Sequence, residues 1–386
     1  MLSFKEAVPL SLYIHLPWCV RKCPYCDFNS HETKKEDIEE KKYIDALIRD
    51  LEFELPRIWG RSIISIFIGG GTPSLFSAEA LDQLLSALRA RLNIHPEIEI
   101  TLEANPGTAE AEKFKDYRSL GINRLSIGVQ SFNDEHLGSL GRIHNAGEAR
   151  SAIAMAKNAG FENFNIDLMF GLPQQTVQAA LQDLEIAIEE TPGHISWYQL
   201  TIEPNTVFNS RPPVLPDEDD IWDMQLQGKR FLEDKGFNQY EISAYATKNN
   251  QCCHNLNYWQ FGDYLGIGAG AHGKITNVAG SKVERFARHK IPTRYMELAG
   301  TDSVITETRL VGRDELPLEF MMNALRLIHG VPSNLFIERT GLPMNIIEKE
   351  LTNAEQRKWL DWKLDEMKPT ETGVRYLNDL LGLFVK

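Results

Sequence analysis

Cys19, Cys23 and Cys26 stand at the spacing C-x3-C-x2-C within Trp18-Cys19-Val20-Arg21-Lys22-Cys23-Pro24-Tyr25-Cys26-Asp27-Phe28. Thiolates are soft ligands that select iron–sulfur clusters, zinc or copper(I). A four-iron cluster normally takes one thiolate per iron, so three thiolates leave one iron without a protein ligand. Such an open iron can hold a chelating small molecule, which points to chemistry rather than scaffolding. The structural alternative is a zinc knuckle completed by His31 or His15. Structural zinc usually pairs two CxxC-type hooks, and the chain has no second one. A second stretch with chemical potential, Cys252-Cys253-His254-Asn255-Leu256-Asn257-Tyr258-Trp259, contains H-N-x-x-Y-W. Imidazole is a common axial ligand of haem iron, and Tyr258 and Trp259 offer flat packing surfaces. By residue type alone, a core histidine among core aromatics is the stronger reading of His254. Cys252 and Cys253 read as small buried hydrophobes rather than ligands.

Further polar and glycine residues fall where strands are expected to end. Gly69-Gly70-Gly71-Thr72 follows one β-rich run and Glu103 closes the next. Gln130 follows a third, Arg142 lies on the loop beyond it, and Asp167 sits within a fourth. Functional groups of barrels and α/β sheets gather at the carboxyl ends of strands. Taken singly, each has a structural explanation as a tight turn, a cap or an internal ion-pair partner. Their shared placement argues for a site. Glycines let the backbone approach a ligand closely, and an ionised Glu103 accepts hydrogen bonds from a ribose or an amine. Leu265-Gly266-Ile267-Gly268-Ala269-Gly270-Ala271-His272-Gly273 invites a dinucleotide reading. A clear preceding strand, a following helix and an acid about twenty residues on are not evident, so it reads as a close-packed turn near the active site.

These residues need elements to place them. Six β-rich runs, Ser11–Leu16, Ile63–Ile68, Glu97–Glu103, Arg124–Val129, Asn163–Met169 and Ile195–Leu200, alternate with helical patterns at Glu32–Arg57, Ala78–Leu92, Glu148–Asn158 and Thr176–Glu190. That alternation predicts an α/β fold with a parallel sheet of βαβ units. It does not choose between an open sheet and a barrel. A proline-rich acidic connector, Arg211–Asp220, leads into a helix over Ile221–Glu233. We expect a core over 1–245, a connecting region with the HNxxYW stretch over 246–300, and a small helical domain over 301–386. The last has helical patterns at Glu315–His329, Asn334–Thr340 and Asn345–Asp361. Gly373–Leu377 with Leu383–Val385 would form a β-wing, giving a winged-helix-like unit. From Thr301 onward 11 Lys+Arg face 14 Asp+Glu, so no basic face for nucleic acid is evident.

The 386 residues, 42% of them hydrophobic, suffice for a large core. A net charge of -13 argues against a generic polyanion binder. The N-terminal residues show no signal-peptide pattern, and no apolar run reaches membrane-spanning length. Five cysteines, three of them in one loop, suit a reducing cytoplasm.

The C-x3-C-x2-C spacing with Tyr25 before the last cysteine resembles the cluster loop of the radical S-adenosylmethionine (SAM) enzymes. The resemblance implies a 4Fe–4S cluster on Cys19, Cys23 and Cys26, SAM chelating the open iron, and a partial (β/α)6 barrel. Gly128-Val129-Gln130-Ser131-Phe132, Gly141-Arg142, Ile166-Asp167-Leu168 and Tyr240-Glu241-Ile242-Ser243 resemble words of the coproporphyrinogen-dehydrogenase branch. Carried over residue by residue, Tyr13, Gly70 and Glu103 would contact a first SAM. Tyr25, Gly71, Thr72, Gln130, Arg142 and Asp167 would contact a second. HNxxYW resembles the signature of HemW-type haem chaperones, which implies His254 as a haem contact. The dehydrogenases extend the cluster motif to C-x3-C-x2-C-x-C and carry a longer segment before it. Here Phe28 takes the fourth position and the loop opens after eighteen residues. The expectation is therefore a haem-binding carrier that passes haem to acceptor proteins. An oxygen-independent coproporphyrinogen III dehydrogenase is second and a zinc-stabilised interaction protein last. The intact cysteines remain compatible with SAM cleavage. The haem acceptor and the electron donor are not named by the sequence. Homodimerisation and peripheral membrane contact are left open by it.

Overall fold

The computed structural model describes residues 2–107, 113–363 and 365–385. The six expected strands form as β1 (Leu10–Leu16), β2 (Ser62–Gly70), β3 (Asn93–Ala104), β4 (Arg124–Gln130), β5 (Asn163–Phe170) and β6 (His194–Gln199). Each pairs in parallel with the next in chain order. Six further strands extend both ends. They are β7 (Asn238–Glu241), β8 (Ala244–Ala246), β9 (Asp263–Ile267), β10 (His272–Asn277), β11 (Lys282–Arg288) and β12 (Ile305–Leu310). The sheet order is β12-β11-β10-β9-β1-β2-β3-β4-β5-β6-β8-β7. Strand β9 runs parallel to β1, whereas β10–β12 and β7–β8 are antiparallel additions. With β12 and β7 as its two edges the arc is open, the partial barrel that the resemblance implied.

The strand alternation explains why this sheet has a polar interior. Leu12, Ile14, Ile66, Ile68, Leu102, Leu125, Ile127, Ile166, Leu168 and Ile195 are buried in the main apolar core. Their neighbours at the opposite phase, including Tyr13, Phe67, Glu103, Arg124, Ser126, Asn165, Asp167 and Ser196, line one cavity. Successive strand side chains point to opposite faces, so these two sets fall on opposite sides of the sheet. Barrel interiors are usually packed with layers of branched apolar residues. Polar residues here leave a cavity instead.

Helices α1 (Glu40–Glu54), α2 (Ala78–Arg91), α3 (Phe114–Ser119), α4 (Ala146–Asn158), α5 (Val177–Glu189) and α6 (Glu218–Asp234) supply the outer layer. Their starts are chemically marked. Ser77 accepts from the Ala80 N–H, and Asn145 with Glu148 forms a capping box that satisfies otherwise orphaned donors. Helix α1 begins at Glu40, later than the charged stretch suggested. His31-Glu32 instead pairs in parallel with Trp18-Cys19, and this short ladder braces the cysteine loop.

Residues after Leu310 form a second apolar core with Tyr240, Ala244, Phe261 and Val283. The helix expected at Glu315–His329 stops at Ala324, and Asn334–Thr340 is helical as expected. The expected β-wing is not formed. Glu371–Arg375 and Leu377–Gly382 are helical. The Thr370 side chain caps the first through the Gly373 N–H, and Gly373 lies so close to the Trp359 carbonyl that an added Cβ would sit 1.8 Å from it. A small antiparallel sheet forms instead from Val331-Pro332, Glu366–Pro369 and Leu360–Trp362. No helix among the described residues is long and apolar enough to cross a membrane.

Candidate cofactor and ligand site in the barrel interior

The cysteine loop leaves the carboxyl end of β1 and lies over the ends of the neighbouring strands. All three loop cysteines are free thiols and half-buried. Each has a donor beside its sulfur: Thr72 Oγ1 is 3.4 Å from Cys19 Sγ, Arg142 Nη1 is 3.6 Å from Cys23 Sγ, and Ser30 Oγ is 3.7 Å from Cys26 Sγ. Donors of this kind favour thiolate, the form that binds metal. Burial pushes the Cys19 and Cys26 thiols above their ordinary range, so metal binding here must release protons. No three His, Cys, Asp or Glu side chains among the described residues are grouped closely enough for a single metal ion. His15 and His31, the proposed zinc partners, are engaged elsewhere. His15 bonds the Tyr13 hydroxyl at 2.9 Å and the Asn29 carbonyl at 2.9 Å, and His31 bonds the Lys290 carbonyl at 3.1 Å. A zinc knuckle using His15 would have to break these bonds first.

The glycine run is required first by the chain's own packing. Gly70 has φ +119, and a Cβ there would lie 2.6 Å from the His15 ring. A Cβ on Gly71 would lie 2.5 Å from the Trp18 carbonyl oxygen, where the cysteine loop passes over β2. The Gly70 N–H donates to Glu103 Oε2 at 3.0 Å. Gly268, φ +109, and Gly270, φ +79, pack against His15 and Asn29 in the same way. This glycine-rich turn is close-packed, as expected, and it supports the cluster loop; it follows strand β9, which the sequence does not make evident.

The expected site residues divide into two groups. Around the cysteines, Asn105 donates to Thr72 Oγ1 at 2.8 Å and accepts from Arg142 Nη2 at 2.7 Å. Arg142 also donates to the Gly128 carbonyl at 2.7 Å. Gln130 has φ +71 at a β-bulge between β4 and β5, and its Oε1 accepts from the Tyr198 hydroxyl at 2.7 Å. A non-glycine residue with positive φ at a bulge is an aimed side chain rather than a routine one. Tyr25 packs beside Phe208, with ring centroids 6.4 Å apart.

Tyr13, Glu103 and Asp167 belong to the second group, facing a cavity of about 310 Å³. Burial, reinforced by the Asp167 carboxylate, pushes Glu103 up to about 7 against the opposing pull of the Gly70 N–H. Burial also raises Asp167, which accepts from Asn165 Nδ2 and Ser126 Oγ. Paired acids with perturbed protonation in a cavity are a recognised mark of functional sites.

The HNxxYW stretch closes this cavity from below. It forms helix α7 (Cys253–Trp259), whose N-terminal amides at Cys253 and His254 donate to the Glu99 carboxylate of β3. His254, Asn255, Tyr258 and Trp259 all line the cavity. His254 Nδ1 lies 3.1 Å from Ser65 Oγ, which is 2.7 Å from Ser11 Oγ, and Asn257 donates to Ser11 at 2.9 Å. Its ring packs against Phe67 and Tyr13, with centroids 5.1 and 6.4 Å away. Burial, then the Arg124 charge, depresses His254 to about 3, so the imidazole is neutral at ordinary pH. Neutral imidazole is the metal-binding form. Burial pushes the Cys252 thiol up to about 12, whereas Cys253 at the start of α7 is on the surface, not buried as its residue type suggested.

Arg124, Ser126, Asn165 and Ser196 line the cavity but were not singled out in the sequence. Their signal was period-two polarity inside strands that otherwise read as buried: Arg-Leu-Ser, Asn-Phe-Asn-Ile-Asp and His-Ile-Ser.

Residues 13–187 match the Radical SAM superfamily. A protein from Haemophilus influenzae named Heme chaperone HemW is 52% identical, with 98% of each chain covered. The Escherichia coli protein of the same name is 50% identical, again over 98% of both chains. Among solved structures, coproporphyrinogen III oxidase (HemN) from Escherichia coli, described as a radical SAM enzyme, matches with a TM-score of 0.82 at 22% identity. That match covers 98% of this chain and 90% of the other, and shows the shared fold. By full-length similarity, and with the cysteine loop and HNxxYW helix placed on one radical SAM barrel, this chain belongs to the HemW haem chaperone family.

Proposed function

We propose that this protein binds haem and hands it to acceptor proteins, on a scaffold that carries a 4Fe–4S cluster and SAM. The observation that carries the reading is identity of about half the residues, over 98% of both chains, to proteins named as haem chaperones. Cys19, Cys23 and Cys26 would hold the cluster, which when bound supplies one-electron chemistry and an open iron for SAM. Thr72, Arg142 and Ser30 would stabilise the thiolates through the contacts already present. Gly70, Glu103 and Tyr13 would take one SAM. Tyr25, Gly71, Thr72, Gln130, Arg142 and Asp167 are the residues that a second would use. A reducing cytoplasm is the proposed location, since cluster ligation by Cys19, Cys23 and Cys26 needs them kept out of disulfides.

His254 is the proposed haem contact. With its Nδ1 proton donated to Ser65, Nε2 keeps a lone pair for iron, and the Ser65–Ser11–Asn257 chain fixes the ring. The cavity of about 310 Å³ matches the edge of a macrocycle rather than the whole of it. Coproporphyrinogen III dehydrogenation is the weaker reading, because Phe28, an exposed side chain, stands where that branch carries its fourth cysteine.

The test is haem transfer. Haem-loaded protein, immobilised and anaerobic, is mixed with the apo form of a b-type haem protein. Spectral conversion of the acceptor, faster than haem release into buffer alone, is expected. Conversion no faster than that release would overturn the carrier reading.

A further inference from the structure

The cavity contains a cation with no hydrogen-bond partner among the described residues. Arg124 opens β4, is 2% exposed, and lines the cavity together with Ser126, Asn165, Ser196 and His254. A guanidinium carries five N–H donors and no acceptor. Its Nε is sealed from solvent with no partner, and no acceptor among the described residues pairs with the rest of the group. Buried polar groups in folded proteins are nearly always paired, so an exception asks for a reason.

Asp167 and Glu99 balance the charge of Arg124 without hydrogen-bonding to it, their oxygens being turned to other donors. Asp167 accepts from Asn165 at Oδ1 and from Ser126 at Oδ2. Glu99 accepts from the Cys253 and His254 amides and from the Cys252 thiol. Glu103 Oε2 accepts from Gly70. A second donor shares this predicament: Trp259 Nε1, in another cavity-lining residue, is also buried with no partner. The cavity therefore has surplus donors, one of them the planar fork that matches a carboxylate in bidentate fashion.

We propose that Arg124 anchors a carboxylate inside the barrel, with the Trp259 indole N–H as a second donor. Two sources share that chemistry. One is a propionate on the edge of haem, which rests on the haem reading above. The other is a small free carboxylic acid, which does not.

The experiment compares haem with its dimethyl ester, in which both propionates are blocked, in anaerobic titrations of wild type and Arg124→Gln. Thermal unfolding of both proteins with millimolar glutarate runs in parallel. Haem bound at least tenfold more tightly than the ester by wild type, with the gap lost in Arg124→Gln, assigns a haem propionate to Arg124. Equal haem and ester affinities, or no haem binding, together with glutarate stabilisation of wild type but not of Arg124→Gln, keep the subsite and assign it a free acid. Equal affinities with no glutarate effect on wild type would overturn the proposal and leave Arg124 a charge balance for Asp167 and Glu99. Where Arg124→Gln does not fold, Arg124→Lys, which keeps the charge but loses the fork, replaces it in both comparisons.

Discussion

Single residues in this protein do double duty, holding the sheet together and setting the state of the cavity. Gly71 is one of them. Replacing it by alanine pushes a Cβ against the Trp18 carbonyl, a backbone atom that cannot swing away. Overpacking of this kind costs about 1–3 kcal/mol. Gly71→Ala should lose that much stability in denaturant unfolding and, because Trp18 adjoins Cys19, should retain less iron and sulfide after reconstitution. Unchanged stability would show that the loop does not press on β2. His194 is another. Its Nδ1 lies 2.6 Å from Asn165 Oδ1 and its Nε2 2.8 Å from the Tyr240 hydroxyl. Burial, helped by the Arg124 charge, holds it well below the ordinary histidine range. The unfolded chain therefore takes up this proton near pH 6.5 while the folded chain does not. The stability contribution is present above pH 6.5 and lost as the pH falls, at about 1.4 kcal/mol per pH unit. His194→Gln should weaken the protein by about 1–3 kcal/mol near neutrality, through lost hydrogen bonding. It should also flatten the acid slope by one proton between pH 6.5 and 5. Parallel slopes in guanidinium unfolding at several pH values would contradict this.

At the scale of elements, the added antiparallel strands are locked to the barrel by buried charge. Arg288 of β11 is fully buried and reaches Asp50 at 3.1 Å and Glu54 at 2.7 Å, both on α1. Tyr295 donates to Asp50 at 2.8 Å. Removing one partner of a buried ion pair costs about 3–5 kcal/mol, because the remaining charges stay buried. Arg288→Met should lose that much in urea unfolding, and adding Asp50→Asn and Glu54→Gln should recover most of it. No recovery would mean that Arg288 acts through packing. None of this was legible in the sequence, since the partners lie more than 200 positions apart in the chain. What was legible was local. The six parallel strands and their helices announce themselves through periodicity and caps. The β-wing was misread because Gly373 and the apolar residues after it fit a strand until Trp359, brought in by tertiary packing, sets the backbone around a helix cap.

For the whole molecule, the cysteine loop lies at one end of the barrel strands and the HNxxYW helix closes the interior toward the other. The loop declared itself by spacing, because metal ligation demands particular residues close together. The cavity between did not. Its lining comes from six strands and α7, one or a few residues each, and only the fold brings Arg124, Asp167 and His254 together. The second apolar core joins this floor to the C-terminal residues: Arg326 lies 4.4 Å over the Trp259 ring and pairs with Glu241, while the Ile328 amide donates to the Tyr240 carbonyl. The central claim is that haem is bound at the floor of this barrel. Its most direct test is an anaerobic haem titration of cluster-reconstituted wild type beside His254→Ala, followed by absorption difference spectra, with iron and sulfide counted in both. The account predicts saturable stoichiometric binding in wild type, and at least tenfold weaker binding with a changed haem spectrum in the variant, at equal cluster content. Equal affinity and identical spectra in the two proteins would contradict it and place haem elsewhere on the chain.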